Sequence, residues 1–115
     1  MTAQPRPTHQ LVGDQFERIA KALSDPRRVA VLEAISREQD CPCQQLVAEF
    51  PVSKATISHH LKELSRAGIV DTERQGQFVR CRVRREVLEA YAAELLRRVA
   101  GPCDREVKQE PRRRR

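Results

Sequence analysis

The hydrophobic period of this chain switches from helical to alternating at Gly68, and that change constrains the fold more than any other feature. Ahead of it apolar residues recur at helical spacing; over 69–83 they alternate every second residue. Four helices are predicted before the switch. Phe16, Ile19, Ala20 and Leu23 share one face of the first, which follows Leu11. Ser24-Asp25-Pro26 stops it, because the residue before a proline avoids helical geometry. Val29, Leu32 and Ile35, with Val31 beside them, mark a second helix over 27–37, and Leu46, Val47 and Phe50 a short third over 42–50. Pro51-Val52-Ser53 is a tight break. Ser53 is a good N-cap for a fourth helix that turns Ile57, Leu61 and Leu64 inward and stops at Gly68.

Beyond the switch, strands over 69–74 and 77–83 flank Gln75-Gly76, where glycine supports a hairpin turn. Val79, Cys81 and Val83 alternate with Arg80 and Arg82, which predicts one apolar and one basic face. A last helix over 85–99 carries Val87, Leu88, Tyr91, Leu95 and Leu96, an apolar band too wide for so small a core. A second copy of the chain is the simplest cover for it. The expected dimer interface is Phe16, Ile19 and Leu23 with Leu88, Tyr91 and Leu95.

These elements fill one domain over 11–100, between an N-terminal arm (1–10, with Pro5 and Pro7) and a basic tail (101–115) expected to be disordered. The fold class is mainly α with a two-stranded β-wing. The chain has 115 residues and a net charge of +6. No stretch is apolar enough to span a membrane, and Met1-Thr2-Ala3-Gln4-Pro5 begins no secretion signal. Four cysteines in such a chain are expected to be reduced thiols in a cytoplasm. A secreted disulfide mini-protein, a membrane protein and a multi-domain enzyme are thereby excluded. Neither a phosphate-binding glycine loop nor a nucleophile–base–acid set is present, so no enzyme is expected.

Residues 53–85 alone carry +5, a concentration of charge suited to a polyanion. A short helix, a three-residue turn and a polar-faced helix make a helix-turn-helix, and the hairpin after it makes the motif winged. Such a helix lays polar side chains on base edges in the major groove. Lys54, Thr56, Ser58, His59 and Lys62 are the candidates here, with Arg74, Arg80 and Arg82 of the wing reaching flanking phosphate or minor groove. His60, about 100° around the helix from His59, is read as a packing or capping residue. The expected partners are a double-stranded DNA operator and a second copy, with no membrane and no other protein. Use of the same motif for protein contact is the reading from another class.

Asp25-Pro26-Arg27-Arg28, Ser53-Lys54-Ala55-Thr56-Ile57-Ser58-His59-His60-Leu61-Lys62, Ala67-Gly68-Ile69-Val70 and Gly76-Gln77-Phe78-Val79, in that order, resemble the ArsR/SmtB family over residues 14–96. The resemblance implies a homodimeric winged-helix repressor, dimerised through its first and last helices and released from its operator by an inducer. It also implies that Cys41-Pro42-Cys43 stands where arsenite- or antimonite-sensing members carry a Cys-x-Cys. Leu46 occupies the place of a third cysteine, and 85–99 lack the Asp and His of the zinc site of other members. Residues 1–40 lack the cysteines of the cadmium and lead type.

The residues themselves speak to the same point. With Cys41 as N-cap and Pro42 at the first helical position, both thiols would meet the positive helix end and become more acidic. Thiolates are soft ligands for As(III) or Sb(III), with Cys103 as a candidate third sulfur. Packing as small hydrophobes and a plain oxidation switch are the other readings of Cys41 and Cys43. Cys81, on the inner wing face, is expected in the core. No cofactor is expected for folding.

Overall fold

The computed structural model describes residues 10–101. Five helices and three strands follow one another as α1 (Gln15–Ala22), α2 (Pro26–Ser36), β1 (Cys41–Pro42), α3 (Cys43–Glu49), α4 (Lys54–Arg66), β2 (Val70–Gln75), β3 (Phe78–Val83) and α5 (Arg85–Ala100). The four predicted helices, the hairpin and the last helix are all present, and α3, α4 and the hairpin form a winged helix-turn-helix.

Local chemistry sets most boundaries. Asp25 starts α2: its carboxylate accepts from the Arg27 N–H at 2.9 Å, with Pro26 in the first turn. Ser53 Oγ accepts from the Thr56 N–H at 3.1 Å and caps α4. At the other end Gly68 adopts φ +85°, which a side chain would resist. Its N–H meets the Ser65 carbonyl at 2.9 Å and the Ile69 N–H meets that of Leu64 at 3.2 Å, the two bonds of a Schellman ending. The Gln15 side chain fills the space beside Gly68 and donates to the Ala67 carbonyl at 3.1 Å, tying α1 to the end of α4.

Three details differ from the expectation. Helix α1 begins at Gln15 rather than near Leu11, because Gly13 at φ +54° precedes it. The hairpin loop is Gly76-Gln77, one residue later than expected, with positive φ at Gly76 alone, the signs of a II′ turn. The third difference matters most. The sheet has three strands in the order β1-β3-β2, and its extra edge strand is Cys41–Pro42. Cys41 is therefore not the cap of α3. Pro42, with extended ψ of 137°, holds that position and Cys43 opens the helix.

The core gathers Ile19, Ile35, Leu46, Ile57, Leu64, Ile69, Val70 and Val87 from every helix and the sheet, together with Cys41 and Cys81. It holds the inner face of α4 against α1, α2, α3 and β2. The opposite face of α4 is left in solvent. Among the described residues no helix is long and apolar enough to cross a membrane.

Candidate nucleic-acid interface and thiol pair

Helix α4 is divided lengthwise. Ile57, His60, Leu61 and Leu64 are buried, whereas Lys54, Ser58, His59 and Lys62 are exposed. Neither lysine makes an ion pair among the described residues. Thr56 stands apart from the other candidates: it is half-buried, and its hydroxyl lies 3.0 Å from Ser53 Oγ, inside the cap. The solvent face thus presents two ammonium groups, a hydroxyl and an imidazole along about two turns, donors and acceptors suited to phosphate and base edges.

The wing is less uniformly basic than its sequence suggests. Arg82 stands opposite Asp71 and Arg80 opposite Glu73 in the β2–β3 register. Arg82 approaches Asp71 at 3.8 Å; Arg80 turns instead toward β1, reaching the Asp40 carboxylate at 3.9 Å and its carbonyl at 3.4 Å. Arg84 shares Asp71 at 3.8 Å. Arg74 pairs across from Val79 and so lies on the other face of the hairpin from Arg80 and Arg82. It has no acidic partner among the described residues. The arginine–aspartate contacts are solvent-exposed, worth at most about 1 kcal/mol each, and a phosphate can replace the carboxylate.

Beneath α4 lies a polar cluster that periodicity alone could not reveal. Arg28 donates to the Ala22 carbonyl at 3.2 Å and approaches Asp25 at 3.7 Å. His60 is packed among them with its Nδ1 buried and without a hydrogen-bond partner. Burial pushes the His60 pKa down, outweighing the nearby Asp25 charge. The Arg27 N–H bond, with Arg28 and Arg27 nearby, holds Asp25 below the usual carboxylate range.

The thiols are arranged differently from the expectation. Cys41 is fully buried in β1 and stands directly opposite Cys81, also fully buried, in β3. Cys43 is half-buried at the start of α3. Far from being acidified by a helix end, all three have raised pKa values. Burial is the first cause at Cys41, helped by the charges of Glu38 and Glu49. Burial raises Cys43 as well, against the pull of Lys54. Cys81 is pushed up to about 12, by burial first and then by its two thiol neighbours. Among the described residues no three His, Cys, Asp or Glu side chains group as metal ligands, and Cys103 lies outside them.

On the far side of the molecule α1 meets α5. Phe16 and Tyr91 stack with ring centroids 5.0 Å apart, and the Arg98 guanidinium lies 3.9 Å over the Phe16 ring. Of the expected interface residues, Ile19 is fully buried within the chain and belongs to its core, where a second copy cannot reach it. Leu23, Leu88 and Tyr91 are half-buried against that core, and Leu95 is 37% exposed. The more open apolar residues are Leu96 and Val99, at 61% and 72%. Leu96 was visible in the helical band; Val99 continues its face one turn on.

A capped helix with a polar outer face, packed behind a short helix and followed by a β-hairpin, is the winged helix-turn-helix arrangement of DNA-binding regulators. Residues 25–72 match the model of the family described as bacterial regulatory protein, arsR family. The chain is 36% identical over 61 residues to the transcriptional repressor SdpR of Bacillus subtilis, covering 53% of this chain and 67% of that one. It is 37% identical over 62 residues to an arsenical resistance operon repressor of Staphylococcus xylosus, covering 54% of this chain and 59% of the repressor. The latter match thus spans about three fifths of its relative's length. In three dimensions it is similar to an ArsR-like transcriptional regulator of Rhodococcus sp. RHA1, with a TM-score of 0.63, 29% identity, and 75% and 79% of the two chains covered. The chain belongs to the arsR family.

Proposed function

We propose that this protein is a homodimeric repressor that reads an operator with α4, steadies itself with the wing, and leaves the DNA when a thiophilic inducer takes Cys41 and Cys43. The observation that carries the DNA half is the division of α4: its inner face is locked by the core while Lys54, Ser58, His59 and Lys62 stand together in solvent. Ser58 and His59 are assigned to base edges, and Lys54, Lys62, Arg74, Arg80 and Arg82 to phosphates. Thr56 contributes through the cap it shares with Ser53. The dimer reading rests on the exposed Leu95, Leu96 and Val99 of α5.

Support for the inducer half is of two kinds. One relative is named for arsenical resistance. The second is mechanical: Cys41 is buried in a two-residue strand that leads directly into α3. A ligand that takes both thiols, as As(III) or Sb(III) would, must draw Cys41 out of its pairing with β3. The start of α3 would move with it, and α3 supports α4 through Leu46. Cys103 is the proposed source of a third sulfur. Release requires only that the inducer bind the displaced form better; a hundredfold preference corresponds to about 2.7 kcal/mol.

The test is a duplex enriched from a random pool on the wild-type protein, followed by arsenite titration of the complex. Wild type should release the duplex, while Cys41→Ser and Cys43→Ser should keep it. Release of the doubly substituted protein by arsenite would contradict the inducer half, and failure to enrich any duplex would contradict the repressor half.

A further inference from the structure

Cys41 and Cys81 are the one pair of thiols that the sheet places directly opposite each other, Cys41 in β1 and Cys81 in β3. Opposed residues of antiparallel strands have Cβ atoms about 4.5–5.5 Å apart, and a disulfide asks for about 3.5–4.5 Å. Closing that gap asks for a shift of about 1 Å, which a loosely held strand can make, and β1 is a two-residue strand at the sheet edge. Its neighbour in the ladder, Pro42 opposite Arg80, has no N–H to donate. Both thiols are fully buried, and Cys43, the other thiol near them, opens α3 outside the ladder.

We propose that Cys41 and Cys81 form a reversible cross-strand disulfide, an oxidation site that fastens the start of α3 to the wing. The oxidant is a low-molecular-weight disulfide, admitted when the edge strand opens. One protein thiol displaces the first small thiol and forms a mixed disulfide. The thiol across the ladder then attacks the protein sulfur and displaces the second. Two S–H bonds and one small-molecule S–S bond become one protein S–S bond and two small thiols, which carry away both protons and both electrons. The bond withdraws Cys41 from any inducer, so the oxidised protein is blind to a dithiol-binding arsenical. That consequence alone rests on the inducer reading above; the disulfide does not.

The experiment uses full-length protein with Cys43→Ser and Cys103→Ser, which retains Cys41 and Cys81 as its two thiols. Oxidised glutathione should lower its intact mass by two hydrogens and leave no thiol alkylated under denaturing conditions, against two before treatment. Adding Cys81→Ala should replace that product with a single glutathione adduct. Two thiols still free, or one adduct on each, would overturn the proposal. In the wild type, phenylarsine oxide should load one per reduced chain and none after oxidation. Loading that survives a demonstrated Cys41–Cys81 bond overturns the blinding effect. A reduced chain that never loads, while the bond still forms, overturns the inducer reading and leaves the disulfide standing.

Discussion

Gly68 and Gln15 form the two halves of one contact. A Cβ at position 68 would lie 2.5 Å from Gln15 Nε2, and the backbone there has φ +85°. Gly68→Ala should therefore cost about 1–2 kcal/mol for the left-handed backbone alone. Displacing Gln15 from the Ala67 carbonyl adds about 1 kcal/mol. Urea unfolding reads both, and Gln15→Ala with Gly68→Ala should cost less than their sum, because the clash and the lost bond share one side chain. A variant as stable as wild type would show that this contact does not matter. His60 gives a prediction in pH. Burial lowers its pKa in the folded chain, so the unfolded chain binds the proton more readily. Stability should be full above the ordinary His value of 6.5 and decline as pH falls below it, with the loss abolished in His60→Gln. Asp25, whose pKa is lowered too, adds a further loss only as pH falls below its ordinary 3.8. The Ser53 cap and the Gly68 stop were legible in the sequence because each acts on its own few neighbours. The unpartnered Nδ1 of His60 was not, since the charges around it, Asp25 and Arg28, come from a distant stretch of the chain.

Among the elements, the wing departs most from its sequence pattern. Alternation correctly separated Arg80 and Arg82 from Val79 and Cys81, but it said nothing of what the facing strand carried. The register supplies that: Asp71 and Glu73 stand opposite the two arginines. The wing's charge is thus partly compensated until a phosphate competes. Asp71→Asn should free Arg82, while Arg84 keeps its pair with Glu86, and should tighten binding to any duplex and steepen its salt dependence. Unchanged affinity at low salt would remove the wing from the DNA interface. Strand β1 escaped notice for a different reason. Two residues carry no period, and Cys41-Pro42 followed by helical spacing reads locally as a cap and first turn. Long-range pairing with β3 overrides that local preference. The thiols consequently become less acidic, where the helix-end argument made them more so.

At the scale of the whole molecule, one chain leaves uncovered the α5 face bearing Leu95, Leu96 and Val99. The excess of apolar residues there was readable from helical spacing. Which of them a single core absorbs was not: Ile19 turned inward, while Leu96 and Val99 stayed in solvent. Leu96→Glu should shift the chain toward monomer in sedimentation and weaken operator binding in parallel, since two copies present two recognition helices about one DNA turn apart. A monomer with undiminished affinity would separate assembly from DNA reading.

The central claim is that α4 and the wing hold DNA, with lysine and arginine on phosphates and Ser58 and His59 on bases. Its most direct test is the salt dependence of affinity for a selected duplex and for a scrambled one. Lys62→Ala should lower the slope of log affinity against log salt by about one unit on both duplexes. His59→Ala should leave the slope unchanged and narrow the difference between the two. A Lys62→Ala slope equal to wild type, together with a His59→Ala protein that still discriminates as wild type does, would place the DNA contacts elsewhere and contradict the account.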